Sequence, residues 1–174
     1  MRVNDFFSLQ WTTDENRTIT NPLYLILLAV CAREQKKDMV RNVIAVIVGI
    51  VAGVLANMGT LTLGQLLVPP PPGFDMNTAE GVAAAMPFMD ARHFISIFAA
   101  HALGSFVGAL VAALIAVSHK MNIALGIGAF TMLGGIVAAW IIPAPFWFVA
   151  VDLILAYIPT AWIAGKLATS GKAS

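Results

Sequence analysis

The chain has 174 residues, of which 59% are hydrophobic and only 11% are charged. A soluble domain carries about 25% charged residues, so a water-facing surface cannot be built from this composition. The net charge of +1 gives no electrostatic footprint for nucleic acid. The single cysteine, Cys31, excludes an intramolecular disulfide and a cysteine-based metal site.

Residues 1–21 are polar and mixed in charge, with Asp5, Asp14, Glu15 and Arg17. Residues 22–32 are apolar but about half as long as a membrane span, which takes about 20 residues. A dense charged run, Arg33 to Asp38, follows. Two readings stay open. Residues 22–32 form a short helix at the membrane interface or against the other helices, or the native chain begins at Met39. A cleaved signal peptide fits poorly, because its apolar region would follow its positive charge. The expected organisation is an N-terminal extension, 1–38, and a transmembrane domain, 39–174.

Four stretches are long and apolar enough to span a bilayer: about 42–68, 91–118, 121–142 and 146–168. The run Pro69 to Pro72 with Gly73 ends the first. In the loop that follows, Asn77-Thr-Ala-Glu80 reads as a capping box opening a short outer helix. Asp90 is the expected N-cap of the second span. His119-Lys120 and Pro143-Ala-Pro145 make the next two connections, both tight, so spans two to four are antiparallel neighbours. The apolar runs are continuous rather than alternating, which argues for helices over barrel strands. The expected fold class is all-α: a polytopic membrane protein, a four-transmembrane-helix bundle with a short outer-loop helix.

Positive charge sets the orientation. Arg33, Lys36, Lys37 and Arg41 precede the first span, His119-Lys120 joins the second and third, and Lys166 and Lys172 lie at the end. The loop from Pro69 to Asp90 has no Lys or Arg. Both termini are therefore expected in the cytoplasm, with Arg92 alone on the outer side. Trp140, Phe146, Trp147 and Phe148 read as an outer aromatic belt.

Small residues recur at four-residue spacing: Gly49 and Gly53 in the first span, Gly104 and Gly108 in the second. Lipid gives helices no hydrophobic reason to associate, so close backbone approach matters more. The stripe packs helices inside one chain or forms a homo-oligomer interface.

Ionisable residues inside a span are costly and face the protein interior. Counting at 1.5 Å per residue from the outer ends puts Asn57, His101, Thr131 and Tyr157 at one depth, about 15–16 Å. Asp152 comes about one turn above them. A carboxylate beside an imidazole makes a proton relay or an ion site. The same cluster can instead only fix helix register. His93 and His101 are about 12 Å apart along a helix and cannot share a metal. No metal site, cofactor or catalytic constellation is implied, since Asp152 is the only acid within a span. Pro159 is expected to kink the fourth span and free the carbonyl of Leu155.

From about Met39 to Ala168 the chain resembles a family of uncharacterised small four-helix bacterial integral membrane proteins. The resemblance rests on Asn57-Met-Gly, the proline-rich outer loop, His101-Ala-Leu-Gly104 with Gly108-Ala, His119-Lys120, and Val151-Asp-Leu-Ile-Leu-Ala-Tyr-Ile-Pro159. It implies a fold and a place in the bacterial inner (cytoplasmic) membrane, but no activity. The expected function is a non-enzymatic bundle or an accessory subunit of a larger membrane assembly, with lipid as its medium and no nucleic acid partner. The alternative is a component that moves a proton, ion or small solute past Asp152 and His101. A membrane-embedded enzyme is the third reading.

Overall fold

The computed structural model describes residues 22–170. The polar stretch 1–21 and Lys172 of the expected positive cluster lie outside the described residues. The described residues form helices and turns, with no strand among them. In chain order the elements are α1 (Pro22–Leu67), α2 (Ala79–Ala85), a 3₁₀ turn (Met86–Phe88), α3 (Ala91–Ile115), α4 (Lys120–Ile141), α5 (Phe146–Leu155) and α6 (Ile158–Ser170). Four helical stretches are long and apolar enough to cross a membrane, α5 and α6 counting together as the last.

The chain divides into two compact units, Met1–Met39 and Val40–Ser174. In the first, the described residues are the opening turns of α1. The charged run does not end a helix, so residues 22–32 are not a separate short helix; α1 is continuous from Pro22 to Leu67. Arg, Glu, Gln and Lys are good helix formers, and Lys37 Nζ donates to Glu34 Oε1 at 2.7 Å, one turn back. Charge here marks solvation, not a break.

In the second unit α3 packs against both α4 and α6, and α4 packs against α6. The core is built from alanine: Ala109, Ala112, Ala113, Ala124, Ala161 and Ala164 are fully buried. Such small side chains let backbones approach closely. The glycines carry this furthest. A Cβ on Gly49 would lie 2.6 Å from the Cβ of Ala112, and one on Gly53 would lie 2.8 Å from the carbonyl oxygen of Gly104. Cβ atoms on Gly104 and Gly108 would meet Asn57 and the Gly49 carbonyl at 2.8 and 3.0 Å. The small-residue stripe is thus filled by the contact of α1 with α3 inside one chain.

Side chains close the ends of the helices. Arg41 Nε donates to the Ile115 carbonyl at 3.1 Å, one of the carbonyls α3 cannot satisfy itself. Asn42 donates to Ser118 Oγ at 2.8 Å and accepts from the Val117 N–H at 3.1 Å, fixing the turn into α4. His119 closes that turn at φ 52°, the left-handed region.

At the other end the cap of α2 is Thr78, not Asn77: Thr78 Oγ1 accepts from the Gly81 N–H at 3.1 Å. Asn77 is occupied by Asp75, whose carboxylate accepts from its backbone and side-chain nitrogens. Asp90 caps α3, accepting from the Arg92 N–H at 3.0 Å. The Asp90 N–H donates to His93 Nδ1, and His93 Nε2 donates to the Pro69 carbonyl at 3.1 Å. Arg92 folds back on Asp90 at 2.7 Å and, as the largest cause, holds its carboxyl down at about 2. Phe94 packs edge-on against Trp147 beside it, while Trp140 and Phe146 are almost fully exposed.

Candidate functional site

The last apolar stretch does not run as one helix. α5 stops at Leu155 and α6 starts at Ile158, so Ala156 and Tyr157 lie in a break. Pro159 accounts for it: a proline has no N–H for the preceding turn, and its ring fits the first turn of a new helix. The break puts Tyr157 beside Asp152. In a regular helix, residues five apart point about 140° away from each other. Here the Tyr157 hydroxyl donates to Asp152 Oδ2 at 2.9 Å.

Both groups meet His101 of α3. His101 Nδ1 lies 3.0 Å from Asp152 Oδ1 and 2.9 Å from Oδ2. The Tyr157 hydroxyl oxygen is 3.0 Å from the same nitrogen, and the two rings are near parallel. A carboxylate can only accept, so the proton of the neutral imidazole belongs on Nδ1. The ring is then presented with its other nitrogen, Nε2, as an acceptor. The Asp152 side chain is 7% exposed and that of His101 is 23% exposed. The carboxylate is sealed in, and the imidazole is not.

A second layer holds the break in place. One turn beyond His101, the Ser105 hydroxyl donates to the Tyr157 carbonyl at 3.1 Å. The same carbonyl accepts from Thr160 Oγ1 and from the Ala161 N–H. Thr131 of α4 lies 3.2 Å from Ser105 Oγ and is also in reach of the Ile127 and Gly128 carbonyls. The Tyr157 ring rests on Gly135, where a Cβ would collide with its hydroxyl. Glycine there makes room for the ring.

Of the five candidate residues, His101, Tyr157 and Asp152, the last expected one turn above the others, are in direct contact, and Thr131 reaches them through Ser105. Asn57 takes no part in this network and lines a half-open cleft from α1. The cleft has a volume of about 220 Å³ and is walled by α1, α3 and α4, with Tyr157 at one side. His101, Asn57, Ser105 and Thr131 all line it, as do Val54 and Phe130, both half exposed.

Two polar groups in the cleft lack partners. Among the described residues no hydrogen bond is made by His101 Nε2 or by the Asn57 amide. Among the described residues no fully buried side-chain nitrogen or oxygen is without a partner, so both groups are accessible. Ser105 carries part of the site without any signal in composition or depth. Its position four residues after His101, on the same helix face, is the one sequence feature that pointed to it.

No group of three or more His, Cys, Asp or Glu residues that could hold a metal ion occurs among the described residues. No family model, characterised protein or solved structure matches the chain.

Proposed function

We propose that this chain is a four-span integral membrane protein that binds a small polar group or a proton at His101, as a ligand-binding or transport component of the membrane. One observation carries the reading: an imidazole fixed at Nδ1 by a buried carboxylate, with Nε2 accessible and unpartnered in a cleft. A cluster serving only to lock helices together gains nothing from an open nitrogen. Unsatisfied polar groups at membrane depth cost free energy and call for a reason.

The reading includes a bacterial inner membrane setting, a transmembrane bundle and cytoplasmic termini. These rest on the clustering of Lys and Arg at one set of helix ends and on the resemblance to small four-helix bacterial membrane proteins. A second reading, a non-enzymatic bundle or accessory subunit of a larger assembly or homo-oligomer, has its own support. Every fully buried polar side-chain atom among the described residues is hydrogen-bonded, as a register-fixing network requires. The Ser105 hydroxyl, the nearest candidate nucleophile on the His101 helix, is directed to the Tyr157 carbonyl and not to Nε2.

Carbethoxylation of the full chain in lipid discs, mapped by mass spectrometry, tests the proposal. The reagent needs an accessible, unprotonated imidazole nitrogen. His101 is expected to react despite its mid-span position. Complete protection of His101 under conditions that modify His119 would overturn the reading.

A further inference from the structure

The two unpartnered groups and the mouth of the cleft together say what kind of ligand would fit. Val54 of α1 and Phe130 of α4 are the exposed apolar side chains among those lining the cleft. Each sits about midway along the apolar part of its helix at 1.5 Å per residue, Phe130 roughly 15 Å and Val54 roughly 18–21 Å from the ends. Both are apolar and half exposed, as are Leu133 and Val137 further along α4. In the proposed membrane setting an opening between them would face the hydrocarbon core, not water. No Lys or Arg lines the cleft, so nothing in it would balance a phosphate or a free carboxylate. The one carboxylate beside it, Asp152, is buried and already engaged by His101 and Tyr157, so a cationic head would find no free partner either, and the ligand's head is uncharged.

Its hydrogen-bonding character follows from the inventory of the walls. The Tyr157, Ser105 and Thr131 hydroxyls already donate within the protein. With the His101 ring proton on Nδ1, Nε2 offers only a lone pair. The Asn57 amide offers both a donor and an acceptor. A hydroxyl satisfies the pair: its O–H donates to Nε2 and its oxygen accepts from Asn57.

We infer that the cleft is a lateral binding site for an uncharged, lipid-soluble molecule that presents a hydroxyl to His101 Nε2 and enters between Val54 and Phe130. This rests on the proposed function and narrows it to a ligand drawn from the membrane. The small volume of the cleft sets the scale: it holds the hydroxyl and the first atoms of the body, and the remaining apolar chain lies outside, along the faces of α1 and α4.

The test uses the full chain, labelled with ¹⁵N at histidine, in lipid discs. The probes are geraniol, its methyl ether and glycerol, and the readout is the His101 Nε2 chemical shift. Geraniol is expected to shift Nε2 saturably. The methyl ether, equally lipid-soluble but without the donor, should bind at least tenfold more weakly. Glycerol should have no effect. Asn57→Ala should weaken geraniol binding about fivefold, the worth of one neutral hydrogen bond. Val54→Trp should weaken it at least tenfold while leaving the Nδ1 signal of the unliganded protein unchanged, which shows that the Asp152 contact survives. Saturation by glycerol and not by geraniol would overturn the inference and leave the binding-site reading intact. Equal binding of geraniol and its ether would overturn the role of the hydroxyl. An Nε2 already hydrogen-bonded in the unliganded protein and insensitive to every probe would overturn both readings.

Discussion

The contact of α1 with α3 allows a paired test with opposite signs. In Gly53→Ala the new methyl would lie 2.8 Å from the Gly104 carbonyl oxygen and 3.2 Å from the Gly108 Cα. Both are backbone atoms of a helix and cannot turn aside. Ordinary contact begins near 3.4 Å, so the two helices must part by about 0.6 Å. Overpacking of this kind costs about 1–3 kcal/mol. The better helix propensity of alanine returns up to about 1 kcal/mol. The expected net is a loss of about 1–2 kcal/mol. Gly134→Ala is the counterpart: a Cβ there meets nothing within 4 Å. It keeps the propensity gain and should be neutral or up to about 1 kcal/mol more stable. Reversible unfolding in bilayer discs by steric trapping measures both. Equal effects of the two substitutions, or a stabilised Gly53→Ala, would refute the intrachain contact.

Removing Asp152 should be the most damaging single change in the site. Asp152→Ala leaves the His101 Nδ1–H and the Tyr157 hydroxyl without their acceptor and should cost about 1–3 kcal/mol for each donor left unpaired, in the same unfolding measurement. Tyr157→Phe removes one hydrogen bond to the carboxylate and should cost about 1.5–3 kcal/mol. Ser105→Ala should cost about 1 kcal/mol or less, since the Tyr157 carbonyl keeps Thr160 and Ala161. At the start of α3 the Asp90 carboxyl is lowered from 3.8 to about 2, first by its hydrogen bond to Arg92. A depressed carboxyl stabilises the fold above the unfolded value and loses that contribution as pH falls through the folded one. Hydrogen exchange at the first amides of α3 should therefore stay slow at pH 4 and rise toward pH 2. Asp90→Asn should abolish that pH dependence.

The long helices were legible because a continuous apolar run of about 20 residues has few other uses. Their ends were read less well where chemistry competes. Arg33 to Asp38 looks like a boundary by charge, yet its residues are helix formers and α1 runs through them. Asn77 and Thr78 are both good caps, and Asp75 decides between them by engaging Asn77. Counting residues along straight helices brought His101 and Tyr157 to one depth. It could not bring Asp152 against Tyr157, because residues five apart on a helix diverge. That contact exists only because Pro159 forces a new helix to begin. The proline was visible in the sequence, but the rotation it imposes at Tyr157 depends on the carbonyl being held by Ser105 from another helix. Ser105 was missed for the same reason: a serine on an apolar helix has no periodic signature, and its partner is a backbone atom.

The most direct test concerns the two nitrogens of one ring. The chain, labelled with ¹⁵N at histidine and placed in lipid bilayers, gives separate signals for Nδ1 and Nε2 of His101, assigned by comparison with His101→Gln. With the ring neutral, the proton is expected on Nδ1, hydrogen-bonded and sensitive to Asp152→Asn, with Nε2 bare and responsive to added geraniol. A proton on Nε2 shared with another group of the protein, unmoved by Asp152→Asn, would contradict it.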